Sequence, residues 1–237
     1  MEAAKTWLFF IYWFILLIGS LLIYNELFVV ASVFRAILMP ILALYLYVSL
    51  KPTHSRTLKV FFFSAIAFLW ISDIFRAFNN PILEDPTAND SSLLISLASF
   101  AVANLFHILA YYKIRKIQLN KAVYPSLTFT LGIPLVYVIF YMAISLRTIG
   151  HFKWPWIFFI FSLILVASAA SNILDSNSRK KLAVSYFFPA AILSIIAAIL
   201  VVLNRYKLME PRLDAVSLII YGYAQMLNAN GFRKTAR

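Results

Sequence analysis

Asp73 stands in the stretch FLWISDIFRAF (68–78), behind an almost unbroken apolar run and three residues before Arg76. A carboxylate in such surroundings can pass a proton, balance a cation or anchor a polar ligand, and an isolated charge in hydrocarbon costs about 3 kcal/mol or more. Arg35, inside an apolar run of its own, is the cation expected to answer it. His107, in ANLFHILAYY (103–112), could act as an acid or base or hydrogen-bond a lipid headgroup. Asn104, three residues earlier, shares its helix face. In YGYAQ (221–225), Tyr221 and Gln225 lie on one face, with Asn228 close by. The expected site therefore has Asp73 as acid or base, His107 as a second catalytic candidate, and Arg35, Asn104, Tyr221 and Gln225 lining the substrate cavity.

Other chemistries are excluded. The chain has no cysteine, which removes disulfides, thiolate zinc sites, iron–sulfur ligation and a cysteine nucleophile. H-E-x-x-H, G-x-S-x-G, phosphate-loop and dinucleotide-binding patterns are absent, so neither a metal nor a cofactor is expected. No lysine lies deep in a late apolar segment where a retinal Schiff base could form.

The elements that must position these groups are membrane helices. The chain is 63% apolar and 13% charged, against roughly 25% charged residues in a soluble domain. A span needs roughly 20 mainly apolar residues, and eight segments meet or approach this: about 7–24, 29–49, 58–78, 92–112, 124–146, 154–174, 183–204 and 213–230. Turn chemistry separates them at Lys51-Pro52, Asn79-Asn80-Pro81, Asp85-Pro86, Asp175 to Ser178 and Glu210-Pro211. The first segment carries no cleavage-site pattern and is read as a retained helix. The expected fold is one all-α polytopic bundle over residues 1–237, without an appended soluble domain.

The net charge of +12 belongs first to topology. With alternating spans, fourteen of the 21 Lys and Arg fall on one side and six on the other, with Arg35 inside a span. Glu26, Glu84, Asp85, Asp90, Glu210 and Asp214 gather on the basic-poor side. Both termini are thus expected in the cytoplasm, in a bacterial inner membrane, with membrane lipid rather than nucleic acid as partner. At about 1.5 Å per residue, Asp73 and Arg35 both lie roughly 8–9 Å below the basic-poor face, on adjacent spans. His107 lies about 10 Å nearer the cytoplasm, which argues against a direct contact with Asp73. A water-filled cavity open to the basic-poor side, with Asp73 as its working group, accounts for the depth of the two charges. A structural ion pair, or pairing of Asp73 with Arg76, is the competing reading.

The order of motifs resembles the lysoplasmalogenase-like (YhhN-type) family of eight-span membrane proteins. FRAILMPILALYL (34–46), AFLWISDIFRAF (67–78), LFHILAYY (105–112), AAILSIIAAILVVLNRY (190–206) and IIYGYAQMLNANG (219–231) match its second, third, fourth, seventh and eighth helices in order and spacing. The resemblance implies hydrolysis of the vinyl-ether bond of a lysoplasmalogen to a fatty aldehyde and a glycerophospho-base, by one aspartate in the third helix and one in the seventh. Asp73 takes the first position. The second falls on Ala198, where Ser-Asp has become Ala197-Ala198, and Lys-Pro of the second helix has become Arg35-Ala36. Three functions follow: an ether-lipid hydrolase, impaired or altered by Ala198; a non-catalytic lipid-binding or sensing protein of the same fold; and a small-solute or proton-coupled transporter titrating at Asp73, which the lack of repeats and broken helices disfavours.

Overall fold

The computed structural model describes residues 2–51, 53–77, 90–115, 153–174, 176–204 and 210–235. Among these lie seven long helices: α1 Glu2–Tyr24, α2 Phe28–Ser49, α3 Arg56–Ala77, α4 Asp90–Ile114, α5 Lys153–Leu174, α6 Lys180–Leu203 and α7 Pro211–Arg233. Each corresponds to an expected span and overruns it by up to a few residues, because a helix continues beyond the hydrocarbon layer that the hydropathy pattern marks. The expected span 124–146 lies outside the described residues.

Local chemistry sets the breaks. Helix α1 closes with Glu26 in the left-handed region (φ 64°). The Glu26 N–H donates to the Ile23 carbonyl at 3.0 Å and the Leu27 N–H to the Leu22 carbonyl at 2.8 Å, the bond pattern of a Schellman stop. Helix α2 carries Pro40, which has no N–H for the Ala36 carbonyl one turn back. The Trp70 indole N–H on α3 donates to that carbonyl at 2.8 Å, so the vacated acceptor becomes a clamp between α2 and α3. In α6 the residues Ala183–Phe187 form a π turn immediately before Pro189, which cannot continue the α ladder.

Consecutive described helices pack on one another, and α7 returns onto α1 and also reaches α2, closing a ring. The seam between α1 and α7 is tight. The Tyr12 hydroxyl donates to the Gly222 carbonyl at 2.7 Å, and a Cβ on Gly222 would stand 2.5 Å from a Leu16 methyl. Trp7, Phe10, Phe14, Leu17 and Leu21 form an exposed apolar stripe down the other face of α1, a surface suited to acyl chains and not to water.

Among the described residues five helices are long and apolar enough to cross a membrane: α1, α2, α3, α4 and α6. In α5 the apolar part is the shorter stretch Phe158–Leu174. Helix α7 is not among the apolar five, because Ser217, Tyr221, Gln225 and Asn228 lie buried along it. A helix enclosed by its neighbours can carry polar side chains that lipid would reject.

The bundle has two chemically distinct poles. At the basic pole, His54 Nε2 meets the Arg233 carbonyl at 3.1 Å, Arg115 donates to the Asn172 carbonyl at 2.6 Å and Arg179 to the Thr235 carbonyl at 2.8 Å. These contacts gather the start of α3, the ends of α4, α5 and α7, and the approach to α6. At the opposite pole Arg76 reaches Asp214, Arg212 lies over the Tyr24 ring at 5.5 Å, and the Glu210 N–H donates to Asn204 at 2.6 Å.

Candidate functional site

The last turns of α3 deliver Ser72, Asp73 and Arg76 into the half of the bundle nearer the basic-poor pole. Asp73 is only 2% exposed. The Tyr221 hydroxyl, from the middle of α7, donates to Asp73 Oδ2 at 3.1 Å. On the other side of the carboxyl lies a cavity of about 60 Å³. Leu93, Ser96, Leu97 and Phe100 of α4 and Phe159 of α5 form one wall; Ser194, Ala197, Ala198 and Val201 of α6 form the other. The inner volume has room for several waters, and the apolar wall suits a hydrocarbon chain.

The charges around this cavity are balanced. Arg76 Nη2 meets Asp214 Oδ1 at 3.0 Å, each side chain about a quarter exposed (25% and 24%). Arg35 is buried behind Asp73, outside the cavity wall. Its Nε and Nη2 have no hydrogen-bond partner among the described residues, and its charge acts on Asp73 through space, as that of Arg76 does. The Trp70–Ala36 clamp sits one residue from Arg35 and three from Asp73. The depth match read from the sequence thus corresponds to a real lateral contact between α2 and α3.

The polar rim is built from serines. Ser96 Oγ donates to the Ser72 carbonyl at 3.0 Å and lies 3.1 Å from Ser72 Oγ, tying α4 to α3 beside Asp73. Ser194 bonds the Ala190 carbonyl of its own helix at 2.9 Å. Ser217 reaches the Ala197 carbonyl at 3.3 Å, which ties α7 to the α6 wall.

The sequence-predicted residues divide. Asp73 and Tyr221 share the site. His107 does not reach the cavity wall; its ring packs against Phe62 at 5.8 Å and Tyr111 at 6.1 Å between centroids. Asn104 donates to Ser162 Oγ at 2.8 Å and joins α4 to α5 away from the cavity. Gln225 is buried one turn beyond Tyr221, outside the lining. Asn228 accepts from the Tyr111 hydroxyl at 2.6 Å, a strut between α7 and α4. Sequence reasoning did not assign Arg76, Asp214 or the serines to the site. Asp214 was already on the basic-poor side with Arg76, and that shared pole was the available signal. Among the described residues no three His, Cys, Asp or Glu side chains converge as a metal site.

The sequence model of the YhhN family matches residues 30–232. The chain belongs to the YhhN family. No curated protein matches the chain, and no solved structure does. The YhhN match takes in α3 to α6 entire and all the cavity residues named above. Ala198, at the place where the sequence resemblance expects a second aspartate, lines the same cavity as Asp73. Asp73 and Ala198 thus share one cavity, and Ala198 brings no acid to it.

Proposed function

We propose that this YhhN-family protein is an integral-membrane ether-lipid hydrolase of lysoplasmalogenase type, working with one carboxyl where its family would have two. The observation that carries this reading is Asp73, buried against Tyr221 on the wall of a cavity whose opposite side is apolar. In the proposed cycle Asp73 in its acid form gives a proton to the distal vinyl carbon, which leaves an oxocarbenium-like centre next to the ether oxygen. The Asp73 carboxylate then takes a proton from a water that adds to that centre, which restores the acid. The hemiacetal formed collapses to a fatty aldehyde and the glycerophospho-base. One group thus serves as acid and then as base, and loses the division of labour that two carboxyls of unlike acidity provide. Tyr221 holds the carboxyl in one rotamer, Arg35 and Arg76 supply the compensating field, and Phe100, Phe159 and Val201 take the alkenyl chain.

The reading includes eight spans with both termini cytoplasmic, in a bacterial inner membrane. The parallel run of α4 and α5 toward the basic pole is consistent with an expected span between them. The test is aldehyde release from a lysoplasmalogen by purified protein in detergent. Activity in the parent chain and its loss in Asp73→Asn are expected, and equal rates in the two would overturn the assignment. Ala198 favours a second reading, a lipid-binding or sensing protein that kept the cavity and lost the chemistry. Saturable lysolipid binding without aldehyde release from any ether lipid would establish that reading.

A further inference from the structure

The basic pole holds a second and larger pocket, of about 350 Å³, lined by Lys5, Thr6, Phe9, Phe10, Tyr45, Tyr186, Asn230 and Arg233. It lies where the start of α1, the end of α2, the π turn of α6 and the end of α7 meet, remote in sequence and in depth from Asp73. Arg233, which lines it, and Lys234, next in the chain but outside the lining, both rest on phenols. Arg233 Nη1 donates to the Tyr45 hydroxyl at 3.0 Å, and Tyr45 donates onward to Asn230 Oδ1 at 2.7 Å. Lys234 donates to the Tyr186 hydroxyl and lies 4.6 Å from the centroid of its ring. Neither Arg233 nor Lys234 has a carboxylate partner among the described residues. Lys5 pairs with Glu2 at 3.3 Å, and Glu2 sits at the exposed edge.

A phenol fixes a cation in place without neutralising it. Positive charge at this pole is what topology requires, and Lys51 and Arg56 supply it while facing outward. Topology does not require Lys5 and Arg233 to converge on a concave site with two tyrosines and an amide beside them. The Tyr45–Asn230 bond uses the amide oxygen, and among the described residues the Nδ2 donors of Asn230 have no partner. Among the described residues Arg233 donates one of its five side-chain N–H groups. The pocket is thus an array of unspent donors with a net positive charge. That array matches the acceptor oxygens of a phosphate ester.

The apolar edge points to the source of that phosphate. Phe9 and Phe10 form the α1 side of the pocket, and Phe10 is 60% exposed, at the head of the outward stripe that continues through Phe14 and Leu17. A headgroup in the pocket would place its acyl chains along this stripe. The π turn shapes the wall. Gly231 lets Tyr186 and Phe187 approach α7 so closely that a Cβ there would stand 2.8 Å from Tyr186 Cβ and 2.7 Å from the Phe187 ring. We propose that this pocket is a binding site for the phosphate headgroup of an anionic membrane phospholipid, separate from the Asp73 cavity.

The test uses the full chain in detergent, with affinity measured for short-chain phosphatidylglycerol, short-chain phosphatidylcholine and inorganic phosphate. Saturable binding of phosphatidylglycerol is expected, at least tenfold tighter than phosphatidylcholine and not displaced by millimolar phosphate. Arg233→Gln and, separately, the surface change Lys5→Gln should each weaken it about three- to tenfold. Lys5 lies on the rim with an exposed partner, so its variant tests the pocket even if Arg233→Gln does not fold. Equal affinity for the two lipids, or unchanged affinity in a folded Lys5→Gln and Arg233→Gln, overturns the proposal. Displacement of phosphatidylglycerol by phosphate at comparable concentration overturns the lipid source.

Discussion

The two poles of this bundle handle charge in opposite ways. Near the basic-poor pole two cations of the described residues have a carboxylate to answer them: Asp214 lies 3.0 Å from Arg76, and Asp73 acts on Arg35 through space. The space between the helices is small, and serines, alanines and aromatic rings enclose it. At the basic pole Arg233 and Lys234 rest on tyrosines and keep their charge, around a more open pocket. A neutralised interior suits chemistry on a largely apolar substrate, because the working acid is the one group there with spare proton capacity. An unneutralised rim suits retention of an anion. The same residue types, arginine beside an oxygen, acquire different uses according to whether that oxygen carries charge.

The sharpest way to break this contrast is to remove the acid alone. Asp73→Asn keeps the shape and the Tyr221 contact while removing the transferable proton. Aldehyde release should fall about 10²–10⁴-fold, with binding of phosphatidylglycerol at the far pole unchanged. A joint loss of both would mean that the two poles are one functional unit. Next in size is Ala198→Asp, which places a second carboxyl on the wall facing the same cavity. Turnover is expected to rise at least tenfold, read as kcat for aldehyde release, because acid and base roles can then be divided. No gain would show that the α6 wall lies too far from the reacting carbons for an acid to serve there.

Much of this arrangement was legible from residue types alone. The seven described helices fall on expected spans, and α7 starts at the expected Glu210-Pro211 break; the other Pro, Asn and Asp breaks lie largely outside the described residues. The shared depth of Arg35 and Asp73 followed from helix rise, and the Trp70–Ala36 bond shows the two helices in contact at that level. What lay beyond sequence reading depends on rotation about helix axes and on partners far along the chain. His107 and Asn104 share a face, as their spacing requires, yet that face meets Phe62 and Ser162 and not the cavity. Tyr12 and Gly222 are 210 residues apart, and nothing in either segment signals the other. Helix α7 looked like a marginal span because hydropathy cannot distinguish a helix facing lipid from one enclosed by its neighbours. The π turn was hidden because a proline inside a span, such as Pro189, does not say whether the helix kinks, breaks or widens around it.

A smaller effect separates charge balance from shape at the cavity mouth. Asp214→Asn leaves Arg76 without its carboxylate partner while the side chains keep their size. With each member about a quarter exposed, water screens part of the loss, and about 1–3 kcal/mol of stability should disappear. Thermal unfolding in detergent reads this directly. The deficit should shrink when Arg76→Gln is added, since the second change removes the uncompensated charge. A double variant as unstable as the sum of the two singles would mean that the pair has no coupling.

The smallest effect tests how Arg35 is held behind Asp73. Pro40 leaves the Ala36 carbonyl without its helical donor, and the Trp70 indole supplies one at 2.8 Å. Trp70→Phe keeps an aromatic ring and removes only that donor. Because Trp70 is 40% exposed, on a surface that faces acyl chains, little buried packing is lost and the effect is that of one hydrogen bond. About 1 kcal/mol of stability is therefore expected to go, seen as a lowered thermal midpoint. Aldehyde release should fall only a few-fold, since the charges stay and their mutual position loosens. If Trp70→Phe matches the parent in both measurements, the α2–α3 clamp does not set the Arg35–Asp73 relation, and close packing of the two helices must hold it instead.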